Sequence, residues 1–136
     1  MQPNIYNFFK FLEGKENRSI PLRVKFTYAP ETLTPQELNI EGSLYLSNNE
    51  KLEKLPKGLT VKGNLWLANT PITSLPEGLT VENSLILSNT KITSLPKGLK
   101  VKRNLWVENT PLSTKTDEKI REMIGPDGYI NGKIIR

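Results

Sequence analysis

Apolar residues recur along this chain with a period of 20 positions. Residues 55–74 read LPKGLTVKGNLWLANTPITS, 75–94 read LPEGLTVENSLILSNTKITS, and 95–114 read LPKGLKVKRNLWVENTPLST. A looser copy precedes them, with Leu38, Ile40, Leu44, Leu46 and Leu52 at the places of Leu59, Val61, Leu65, Leu67 and Ile72. It is one residue longer, because Asn49-Glu50-Lys51 stands where later copies have Thr70-Pro71. Leucines at fixed offsets in a period of about 20–29 residues predict a solenoid of stacked repeats.

Within one copy, Leu65-Trp66-Leu67 alternates as a short strand does, the two leucines on one face and Trp66 on the other. Ile72, Leu75, Leu79 and Val81 follow after turns. One copy offers one strand and has nothing against which to bury these side chains. Stacked about 4.8 Å apart, the copies pair their strands in parallel and merge the side chains into columns. The predicted inner columns are Leu44/Leu65/Leu85/Leu105, Leu46/Leu67/Leu87/Val107 and Leu52/Ile72/Ile92/Leu112. They continue with Leu55/Leu75/Leu95, Leu38/Leu59/Leu79/Leu99 and Ile40/Val61/Val81/Val101.

The return side carries Pro56, Pro76 and Pro96, each with glycine two residues on. Proline lacks a helical donor and holds an extended angle, so extended backbone with a tight bend at Gly58, Gly78 and Gly98 is expected. The turn after the strand carries Asn48, Asn69, Asn89 and Asn109. Asparagine tolerates positive backbone angles, and a repeated polar side chain can satisfy turn backbone as a ladder. These asparagines read as structural.

The pattern L-x-L-x-x-[NT]-x-[IL]-x-x-LP-x-GL over residues 33–114 resembles the short leucine-rich repeats of bacteria and bacteriophages, and is similar to the effectors of Gram-negative pathogens. Threonine mostly replaces the usual ladder asparagine, and no ligase domain with a catalytic cysteine is expected to follow. The resemblance implies an α/β-type, right-handed leucine-rich-repeat solenoid with short parallel strands and a non-helical return. It also implies a protein-binding module, and by extension a phage- or bacterium-encoded inhibitor of a host enzyme or defence complex.

A solenoid needs both ends covered. Residues 1–136 read as one domain, with an N-terminal cap at 1–32, repeats at 33–114 and a C-terminal cap at 115–136. Pro3, then Ile5, Phe8, Phe9 and Leu12 at helical spacing, and Gly14 predict a capping helix that absorbs the aromatics Tyr6 and Phe11. Ile20 to Tyr28 alternates like a strand, with Leu22, Val24 and Phe26 on one face. At the far end, Thr116 or Asp117 caps a helix with Ile120, Met123 and Ile124 on its apolar face, stopped at Gly125-Pro126. Asn131-Gly132 between β-prone runs predicts a closing hairpin.

The chain has 136 residues and neither cysteine nor histidine. That removes disulfides, thiol nucleophiles, imidazole bases and the commonest transition-metal ligands. No metal or cofactor site is expected, and no carboxylate pair, phosphate loop or nucleophile constellation suggests an enzyme. No apolar run is long enough to span a membrane and the start lacks an export pattern, so a cytoplasmic location is expected. The net charge of +5 is spread as +2, +2 and +1 over residues 1–32, 33–114 and 115–136. Lys97, Lys100, Lys102 and Arg103 form the one local basic patch, read mainly as a solvated edge.

The functional expectation falls on the outward column of the strands: Tyr45, Trp66, Ile86 and Trp106. Ser43, Asn64, Ser84 and Asn104 flank it on one side; Ser47, Ala68, Ser88 and Glu108 flank it on the other. An exposed aromatic stripe with a small polar border is the composition of an interface. The expected partner-binding set is therefore Tyr45, Trp66, Ile86, Trp106, Asn64, Asn104 and Glu108, engaging another protein. A homodimer through the same face, or nucleic acid stacked on the tryptophans with the basic patch on phosphates, are the alternatives.

Overall fold

The computed structural model describes residues 21–136. The predicted capping helix within residues 1–20 lies outside them. Each repeat contributes two strands of two residues, not the single strand expected. They are β1 (Asn39–Ile40) and β2 (Leu44–Tyr45), β3 (Thr60–Val61) and β4 (Leu65–Trp66), β5 (Thr80–Val81) and β6 (Leu85–Ile86), and β7 (Lys100–Val101) and β8 (Leu105–Trp106). Beyond the repeats stand β9 (Tyr129–Ile130) and β10 (Ile134–Ile135). Odd strands stack in parallel in the order β1-β3-β5-β7-β9, and even strands as β10-β8-β6-β4-β2. The result is a β-solenoid with two parallel sheets.

The second strand has a simple cause. A bend follows each odd strand, at residues such as 62–63, so Val61 and Leu65 both turn inward while Thr60 and Trp66 turn out. The β-branched pair Thr-Val suits the extended conformation. Registers join equivalent residues in every copy, for example Val61 to Val81 and Leu65 to Leu85. All six predicted columns reach the core, with Leu65, Leu67, Ile72, Leu85, Leu87 and Leu105 fully covered and Leu38 partly so. At about 2 kcal/mol for each buried leucine, this interior is the main source of stability.

The turns divide their work between two side chains. Asn48, Asn69, Asn89 and Asn109 have φ between 55° and 62°, in the left-handed region. Their amides pair in steps: Asn69 Nδ2 donates to Asn48 Oδ1 at 2.8 Å, and Asn109 Nδ2 to Asn89 Oδ1. The buried partner is the next residue. The Thr70, Thr90 and Thr110 hydroxyls donate to the carbonyls of Leu67, Leu87 and Val107 at 2.7–2.8 Å. In the first copy Asn49 takes that position and instead donates to Thr27 Oγ1 of the preceding helix. On the return side Gly58, Gly78 and Gly98 have φ between 74° and 84°, as the LP-x-G spacing implies.

Both ends differ from the sequence reading. Residues 22–28, expected as a strand, form helix α1 (Leu22–Tyr28). Leu22, Phe26 and Ala29 fall at i, i+4 and i+7, so two of the three strand-face residues also fit a helical face; Phe26 is buried and Leu22 packs on the core. At the other end, Thr116 accepts from Lys119 N and caps α2 (Asp117–Met123), whose Ile120 enters the core together with Ile124. The expected hairpin is absent. β9 pairs with β7 and β10 with β8, each in parallel and in different sheets. A hairpin turn of the Asn-Gly type needs positive φ at both residues, and neither Asn131 nor Gly132 has it. Gly132 serves a close approach: a Cβ there would collide with the Arg103 carbonyl oxygen.

The two helices also finish the sheets. A parallel edge strand presents unpaired backbone groups on alternate residues. At the β2 edge, the Arg23 guanidinium of α1 donates to the carbonyls of Tyr45 and Ser47, both at 2.9 Å. At the β9 edge, Arg121 of α2 donates to the carbonyls of Ile130 and Gly132. Each planar fork spans carbonyls two residues apart, a match lysine cannot make. Helix α1 is tied down further by Lys25, 5 % exposed in its side chain, which forms an ion pair with Glu37 at 3.0 Å. Glu37 also exchanges reciprocal bonds with Thr34, accepting from its N–H and donating its own to the Thr34 hydroxyl.

Candidate functional site

The outward column of the even strands is built by register alone. Tyr45 stands beside Trp66, Trp66 beside Ile86, and Ile86 beside Trp106. The column has a fifth member, Ile135, beside Trp106. The repeat pattern could not reveal it, because β10 comes from a segment that does not resemble the repeats.

The four expected residues have unequal surroundings. Tyr45 is 63 % exposed and stacks on Trp66, with ring centroids 5.7 Å apart and planes inclined by 20°. The tryptophans are half-buried. Ile86, only 8 % exposed, forms a floor between them rather than part of the exposed stripe. Two large indoles, one strand away on either side, overhang the shorter side chain. Trp66 Nε1 is covered and meets no acceptor among the described residues.

A groove of about 450 Å³ opens over Ile86. Trp66 and Trp106 form its ends. Asn64 and Ser84 border one side; Ala68, Ser88 and Glu108 border the other. Among the described residues of this lining, Glu108 is the only ionisable one. Its carboxylate accepts from the Ser88 hydroxyl at 3.3 Å.

Two expected contact residues have their side-chain oxygens committed within the fold. Asn64 Oδ1 accepts from Ser84 N at 2.9 Å, and Asn104 Oδ1 accepts from Lys133 N at 2.9 Å. The hydroxyls of Ser43 and Ser84 accept from Asn64 N and Asn104 N. Serine and asparagine thus alternate in one ladder that supplies the backbone at the bend between the sheets. Asn64 still lines the groove; Asn104 does not.

The basic patch is not part of this face. Lys100 belongs to the other sheet, in β7. Lys102 and Arg103 occupy the bend that follows, and Lys97 lies on the return side against Gly125. Lys102 is one strand away from Glu82, as Lys62 is from Glu41, with which it pairs at 3.3 Å. Among the described residues no group of histidine, cysteine or carboxylate side chains is placed to hold a metal ion. No described helix is long and apolar enough to cross a membrane. Comparison of the chain with protein-family models, curated proteins and solved structures returns no match.

Proposed function

We propose that this protein is a non-catalytic binding module of the short, right-handed leucine-rich-repeat type, engaging another protein through the face of its even strands. The observation that carries this reading is the apolar groove between Trp66 and Trp106, continuous through the Trp66 stack with the exposed Tyr45 ring. Aromatic side chains on a rigid sheet lose little conformational freedom on binding, and tryptophan and tyrosine dominate binding energy at interfaces. The role implied by the repeat resemblance is inhibition of a host enzyme by occlusion. Nucleic acid is the weaker candidate, because the lysines that would neutralise phosphate sit away from the tryptophans.

The test is paired affinity capture from the native host lysate, with the wild-type chain and a Tyr45→Ala/Trp66→Ala/Trp106→Ala variant as baits. The variant must first show wild-type circular dichroism. A partner retained by wild type and lost by the folded variant is the expected result. Equal retention by both removes the strand face from the function. Binding that collapses between low and moderate salt, with nucleic acid in the eluate, would reassign the face to nucleic acid.

A further inference from the structure

We propose that the groove over Ile86 receives a cationic side chain, an arginine or lysine, supplied by the bound protein. The inference rests on the protein-binding reading above and adds the chemistry of the contact.

Three features of the groove converge on a cation. Its two ends are indole rings, and an aromatic face carries negative electrostatic potential. Trp66 has one ring face against Tyr45, which leaves the opposite face toward Ile86 and Trp106. Two strand spacings separate Trp66 from Trp106, so a charge midway lies about 5 Å from each ring, within the roughly 6 Å reach of a cation–π contact. The floor, Ile86, is apolar and suits the methylene stem of an arginine or lysine whose charged head lies above it.

The charge pattern agrees. Glu108 places a carboxylate on the rim, oriented by the Ser88 hydroxyl, and no basic residue among those described lines the groove. In a chain of net charge +5 this is a local reversal of sign. The arginines at the two ends of the sheet are engaged elsewhere. Arg23 holds the carbonyls of Tyr45 and Ser47, and Arg136 holds Asp117 and the Lys115 carbonyl. A carboxylate or phosphate in the groove would face Glu108 and the two indoles, with no cation among the described lining residues to meet it.

The chain has two tryptophans, and both are at the groove. Intrinsic fluorescence therefore reports occupancy without a label. The probes are the capped tripeptides Gly-Arg-Gly and Gly-norleucine-Gly, titrated at low salt into the full chain and into Glu108→Gln. Glu108 is exposed and outside the core, so the variant keeps the fold. The expected result is a saturable millimolar response to the arginine peptide. Norleucine binds at least about fivefold more weakly, and Glu108→Gln weakens the arginine peptide by about the same factor.

Equal response to the two peptides, no effect of Glu108→Gln, or no response to arginine at all overturns the cationic occupant. None of these outcomes touches the paired capture experiment. A partner lost on mutating the aromatics, with no preference for arginine over norleucine, leaves a protein interface of purely apolar character.

Discussion

The asparagine of each turn combines a backbone role with a side-chain one. Asn89 has φ of 58°, and its Oδ1 accepts a hydrogen bond from Asn109 Nδ2. An alanine there must adopt the left-handed region with a Cβ and without a compensating polar side chain. Asn89→Ala is expected to cost about 1 kcal/mol in urea unfolding, and Asn89→Gly to stay within about 0.5 kcal/mol of wild type. Equal losses for both would mean that the amide, not the angle, carries the effect. The leucine columns, the glycines of the return and these asparagines were legible in the sequence because each answers a local steric demand repeated in every copy. The roles of Asn64 and Asn104 were not. Their spacing placed them beside the aromatic column, but only the bend between the sheets shows their oxygens taken by Ser84 N and Lys133 N.

At the scale of the element, each of the two helices finishes a sheet edge through one long side chain. Arg23→Ala leaves the Tyr45 and Ser47 carbonyls without their fork, and Arg121→Ala does the same for Ile130 and Gly132. Each is expected to lose about 1–2 kcal/mol, with lysine recovering less than half, since one ammonium cannot reach both carbonyls in the same geometry. Arg23→Ala should also raise light scattering on storage, because it uncovers a strand edge. Unchanged melting temperature in both alanine variants would show that water replaces the forks at no cost. Lys25 and Glu37 anchor the same helix. Glu37→Gln is expected to cost about 2 kcal/mol, below the usual 3–5 kcal/mol for breaking a buried pair because Glu37 is 27 % exposed. Lys25→Met combined with Glu37→Gln should recover part of that loss in the same unfolding assay. Sequence periodicity misassigned α1 because Leu22 and Phe26 satisfy both a period of two and a helical face, and seven residues are too few to separate the two. The hairpin failed for a related reason: Asn-Gly signals a tight turn only where φ is positive, and here the glycine answers a close backbone approach.

The molecule as a whole behaves as a stack whose units contact their neighbours. Removing residues 75–94 takes out one complete period and joins Ser74 to Leu95 without shifting any column. The shortened chain is expected to fold and to unfold cooperatively at lower temperature. Trp66 then stands beside Trp106 at one strand spacing, about 4.8 Å, and the floor residue Ile86 is gone. Near-ultraviolet circular dichroism should report the new indole pair, and the arginine peptide should lose its site. A non-cooperative melt would contradict nearest-neighbour stacking, and a retained peptide response would contradict the groove.

The sequence by itself determined the period, the six inner columns, the positive angles of the turns and the return, and the outward column of Tyr45, Trp66, Ile86 and Trp106. These properties repeat, so each copy checks the others. Only the tertiary structure decided that each repeat carries two strands, that α1 is a helix, that β9 and β10 join separate sheets, and that Ile86 is a covered floor with Ile135 beyond Trp106. The physical reason is that each depends on what packs beside it: a bend turns two short runs inward, flanking indoles cover Ile86, and at the ends of the stack the neighbour is a segment without a copy.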